Sequence, residues 1–126
     1  MRGGDSITRL HIGQLLDEVE FQSAREVVMA AVASPDPDLS LLGIRAIGLS
    51  GGAGDVGFLV TLSDRIVDPI ARAEVAWALG RIGGPDCVAP LIAMVSEPDH
   101  AVRYTAADAL GRTAVRLLQG ESAGGA

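Results

Sequence analysis

Lysine is absent from this chain of 126 residues, cysteine occurs once, and aromatic residues make up only 3%. All ten basic residues are therefore arginine, and they are scattered rather than gathered into a stripe. With a net charge of −6, the chain lacks the basic surface that neutralises phosphates, so nucleic acid is excluded as the expected partner. The lone Cys87 can close no internal disulfide and supports no cysteine-based zinc site. No apolar run approaches the ~20 residues that a bilayer-spanning helix needs, so no membrane partner is expected. Met1 to Asp5 lack the charged-then-apolar pattern of a signal peptide, and a cytoplasmic location is the expectation.

What the chain has is small apolar residues in a register. Apolar residues make up 48% and glycine counts 16, which suits closely packed helices. Three segments align, opening at Asp36, Asp68 and Asp99, with steps of 32 and then 31 residues. Ala46, Ala78 and Ala109 keep those steps, as do Gly48, Gly80 and Gly111. Each segment predicts a helix. The aspartate is placed as its N-cap, and Pro37 and Pro69 fall where a first-turn proline is tolerated. Arg72 and Arg103, four residues after their aspartates, are within reach of that carboxylate or one in a neighbouring repeat. Apolar positions three and four apart give one buried stripe, and the glycine near the far end fits a C-cap or a close backbone approach.

A second helix follows each first one. Val56, Leu59, Val60 and Leu62 match Val88, Leu91, Ile92 and Met94 at an offset of 32, and the same offset backwards reaches Ala24, Val27, Val28 and Ala30. The connectors, Gly51 to Gly54 and Gly83 to Asp86, are strong helix breakers. The unit is a helical hairpin. The expected organisation is a tail at 1–4, a single repeat domain at 5–119, and a flexible tail at 120–126. Its repeats fall at about 5–35, 36–67, 68–98 and 99–119. Asp5 or Ser6 would cap a first helix to about Leu16, and a second would run from about Glu20 to Ala33. The fold this predicts is all-α, a right-handed α-solenoid of about three and a half hairpins.

Asp68 to Arg112, reading DPIARAEVAWALGRIGGPDCVAPLIAMVSEPDHAVRYTAADALGR, resembles the HEAT-like repeats in the short form named after phycobilisome lyases. Asp36 to Val67 resembles it more loosely, with Ser40 in place of the arginine, and residues 5–35 match by period alone. The resemblance implies a scaffold for partner binding. Because a minority of such proteins are chromophore-lyase subunits, it also implies an alternative, an accessory or lyase-type subunit acting on a bound chromophore or small molecule.

Individual motifs carry little chemistry. Gly52 to Gly57 satisfies GxGxxG, but a helix precedes it where a dinucleotide site needs a strand. Glu97, Asp99 and His100 place two carboxylates near a histidine, but in a turn where Asp99 is wanted as a cap. Cys87 has no base near it in sequence and reads as a packing residue. No catalytic, cofactor or metal residues are assigned, and the reading leans away from an enzyme. The expected function is a non-catalytic protein-interaction scaffold that binds another protein or peptide on the face of its second helices. The expected contacts are Arg25, Met29, Phe58, Thr61, Arg65 and Ala93, with Trp77 as a further contact because its equivalents, Arg45 and Asp108, suggest an outward position. A last repeat without a second helix would expose Val102, Ala106 and Leu110, to be covered by the segment holding Val115, Leu117 and Leu118 or by a second copy as a homodimer.

Overall fold

The computed structural model describes residues 24–125, with side chains up to residue 120. The expected first helix at 5–16 lies outside the described residues. Six helices follow in order: α1 (residues 24–32), α2 (Pro37–Ser50), α3 (Val56–Arg65), α4 (Pro69–Ile82), α5 (Val88–Val95) and α6 (His100–Gly125). Short 3-10 turns, Ala53–Asp55 and Pro85–Cys87, lead into α3 and α5. No strand occurs among the described residues.

The helix starts follow from the repeated aspartates. The Asp36 carboxylate accepts from the Asp38 amide at 3.0 Å, Asp68 from Ala71 at 3.2 Å, and Asp99 from Val102 at 3.1 Å. Each satisfies one backbone donor that the first turn leaves unpaired. The stops differ. α4 ends at Gly83, whose φ of 59° is left-handed backbone that favours glycine. α2 ends at Gly51 in extended backbone. The matching positions after Gly111 are Ala114 and Val115. Nothing there breaks the helix, and α6 runs on past Gln119 to Gly125.

The helices form two layers. α2, α4 and α6 pack side by side, while α1, α3 and α5 each pack against the helix that follows, with Val32 of α1 seated on Gly43 of α2. The core lies between the layers. Ile44, Leu59, Val75, Leu79, Leu91 and Val102 are fully buried in it, each contributing about 1.5–3 kcal/mol by leaving water. Cys87 is buried among them. The result is an all-α helical repeat solenoid.

Glycine sets the spacing of the α2–α4–α6 layer. A Cβ added at Gly48 would lie 2.8 Å from the Trp77 ring and 2.9 Å from the Ala78 Cα. One added at Gly80 would lie 2.5 Å from the Ala109 Cβ. Of the two roles the sequence allows for these glycines, close backbone approach is the one they play. The expected exposure of Val102 and Ala106 is corrected: both are fully buried, and Leu110 is half-buried, because α4 and α5 both pack on that side of α6.

Candidate functional site

Between the repeats, acids and bases meet one another. Arg72 of α4 is the most connected. Its Nε donates to Glu97 Oε1 at 2.8 Å, its Nη2 pairs with Glu97 Oε2, and its Nη1 donates to the carbonyls of Ser63 and Ile66, the latter at 3.1 Å. It thus ties the end of α3 to the turn after α5. Ser40, one repeat earlier, does the same job on a smaller scale, donating to the Val32 carbonyl at 2.9 Å. Arg103, one repeat later, donates to the Pro98 carbonyl at 3.0 Å and is exposed. The Glu97 carboxylate, considered above beside His100, is engaged with Arg72 instead.

Asp55 anchors the turn into α3. Its Oδ2 accepts from the Gly52 amide at 3.1 Å and its Oδ1 pairs with Arg25 of α1. The Arg25 hydrogen bond, helped by the Gly52 amide, outweighs burial and holds the Asp55 carboxyl below its ordinary pKa. The GxGxxG run is therefore an inter-helix turn whose buried acid serves its own backbone. Among the described residues no group of three or more His, Cys, Asp or Glu is arranged to hold a metal ion.

The expected contact residues do not converge. Arg25 and Met29 line a cavity of about 210 Å³ with Val28, Ile47, Gly51 and Asp55. Met29 is half-buried against the core rather than open to a partner, because α1 turns that side toward α2. Phe58, Thr61 and Arg65 on α3 and Ala93 on α5 are exposed, Phe58 at 38%, and line none of the cavities described here. Trp77 lies in the other layer and is half-buried, its ring against Gly48 of the preceding repeat. The outward position suggested by its equivalents is thus only partly realised.

A second surface, along α4, was not singled out in the sequence. Leu49 of α2, Ile70, Ala73 and Trp77 of α4, and Ala101 and Thr105 of α6 line an open groove of about 500 Å³. Leu49 and Ile70 are well exposed there. At its edge Arg45 makes a two-pronged pair with Glu74, at 2.9 and 3.1 Å, and its guanidinium lies 5.9 Å from the Trp77 ring centroid. The Glu74 hydrogen bond raises the Arg45 pKa, keeping that charge fixed. The signal was present in the sequence: Ile70, Ala73 and Trp77 are spaced three and four apart, the pattern of one helix face.

The stacked two-layer arrangement, with glycine at the helix crossings, defines a helical repeat solenoid. Residues 60–119, from α3 into α6, match the family model for HEAT repeats. No curated protein matches the chain at a significant level of similarity. No helix among the described residues is long and apolar enough to cross a membrane.

Proposed function

We propose that the chain is a non-catalytic scaffold that binds another protein or peptide on the exposed faces of its repeats, in the cytoplasm. HEAT repeats commonly serve as protein-interaction scaffolds. One observation carries the reading here. The acids and bases nearest the repeat surfaces are engaged with each other, Asp55 with Arg25, Glu74 with Arg45 and Glu97 with Arg72, while apolar side chains beside them face water. Charges held in mutual pairs are poor acid–base catalysts, whereas exposed apolar residues on a rigid support gain from a partner's burial. The grooves are also open to solvent, which suits a peptide or helix better than an enclosed chromophore. The kinship with the phycobilisome-lyase form rests on the sequence pattern of Asp68 to Arg112.

The proposed contact face is that of α3 and α5, through Phe58, Thr61, Arg65 and Ala93, with Arg25 at its α1 edge. The α4 groove beside Trp77 is the second face. Affinity capture from the native host, read by quantitative mass spectrometry, tests this when wild type is run beside two variants. Phe58→Ala with Arg65→Ala should reduce recovery of a partner at least fivefold, on the order of one interface hot spot. Leu49→Ser with Ile70→Ser does the same for the α4 groove. Undiminished recovery with both variants, at unchanged melting temperature, would overturn the assignment of the partner to these faces.

A further inference from the structure

Helix α6 buries one side and shows the opposite one. Val102, Ala106, Ala109 and Thr113 are buried, against α4 and α5. On the far side run Tyr104, Ala107, Gly111, Val115 and Leu118, all exposed, with Tyr104 at 70%, Val115 at 52% and Leu118 at 64%. At 3.6 residues per turn these five fall within an arc of about 80°, and the stripe is about 21 Å long. A Cβ added at Gly111 would meet nothing within 4 Å, although the equivalent Gly48 and Gly80 each receive a neighbouring helix. Among the described residues nothing packs on this face.

The stripe reads the same in both directions. From Tyr104 to Leu118 its steps are 3, 4, 4 and 3, with Gly111 at the centre. We infer that this face pairs with the same face of a second copy of the chain, as two antiparallel α6 helices crossing at Gly111 on a two-fold axis. In such an interface a residue a given number of steps after Gly111 faces the residue the same number before it in the other copy. Val115 then faces Ala107, large against small. Leu118 faces Tyr104, apolar against apolar. The two Gly111 residues meet at the axis, where the missing side chains let the backbones approach as they do at Gly80 and Ala109.

The charges agree with this pairing. Asp108 and Arg112 lie on one flank of the stripe, paired at 3.0 Å within a single chain. A two-fold axis through Gly111 keeps both copies' pairs on the same side of the contact. It brings Asp108 of each copy to within about one turn of Arg112 of the other, so the flank is self-complementary rather than self-repelling. The opposed helix dipoles favour the same arrangement. One helix pair of this length is a small contact beside the about 1,200–2,000 Å² of stable interfaces, so the dimer forms with rising concentration.

Sedimentation equilibrium of the whole chain reads this directly. The average mass should climb from one chain toward two with concentration, and Val115→Asp, on an exposed position that leaves the fold intact, should keep it at one. Asp108→Arg should weaken association about tenfold, and adding Arg112→Asp should restore it by re-creating the pair with its signs exchanged. Cross-linking fixes the register. Under mild oxidation Gly111→Cys should form a disulfide-linked dimer at the axis, whereas Arg103→Cys, off the stripe, should not. Cys87 is fully buried and takes no part. A wild-type chain that stays monomeric throughout, a double charge exchange that fails to rescue, or equal cross-linking from both cysteine positions would each overturn the inference. So would coverage of this face by a different protein.

Discussion

Gly80 and Gly111 hold the same place in successive repeats, as do Arg72 and Arg103. The first of each pair sits in a joint between repeats; the second lies on the open side of α6. Gly80 is pressed against Ala109, while Gly111 has empty space in front of it. Arg72 reaches four acceptor atoms across two elements, while Arg103 holds one backbone carbonyl and sits near His100. A repeat motif therefore marks a position and not an energy. What a residue contributes is decided by whether a neighbour arrives to use it.

The sharpest way to break this comparison is at the arginines. Arg72→Met should destabilise the chain by about 2–3 kcal/mol, because it strands Glu97 and two carbonyls at the joint. Arg103→Met should stay within about 0.5 kcal/mol. Urea unfolding followed by circular dichroism measures both, and equal losses would erase the distinction. Next come the glycines. Gly80→Ala should lose about 1–3 kcal/mol through overpacking against Ala109.

Two buried polar groups sharpen the contrast further. Thr113 is fully buried, and its hydroxyl has no hydrogen-bond partner. It stands where the preceding repeat has Ile82. Thr113→Val should therefore raise stability by about 1 kcal/mol, since the isosteric methyl needs no partner. Asp55 is the opposite case, a buried acid with its partners in place. Its folded pKa lies below the unfolded value, so its contribution is present above the unfolded pKa of about 3.9 and is lost as pH falls through the folded one. Asp55→Asn should lower stability at pH 7 by about 1 kcal/mol and converge on wild type in acid, as pH-dependent unfolding would show. A small gain belongs to Gly111. Gly111→Ala should stabilise by about 0.5–1 kcal/mol, the helix-propensity gain alone, when thermal melts are run at dilutions that keep the chain monomeric.

The caps and the repeat period were legible because they are local. Asp36, Asp68 and Asp99 bond amides two or three residues away, so the spacing of aspartate, proline and Ala-Leu-Gly encodes them without reference to the rest of the fold. The length of α6 was less so. The breaker pair present at Gly83 and Gly84 is missing after Gly111, and only that absence bears on it. Trp77 was placed by its equivalents, Arg45 and Asp108, yet no equivalent says that its ring lies on Gly48. The α4 groove depends on residues from three helices, and its Leu49 and Ala101 become neighbours of Ile70 only once the repeats stack.

Arg116 has one more bearing on how the molecule comes apart. From the second half of α6 it donates to the Gly80 carbonyl at 2.8 Å and to that of Arg81 at 3.3 Å, a positive group at the negative end of α4. The last helix is thereby buckled to the foot of the one before it, and peeling away its end also uncovers acceptors in the middle of the stack. Amide exchange should accordingly report the final turns of α4 opening in step with α6, so that the two helices open as one event.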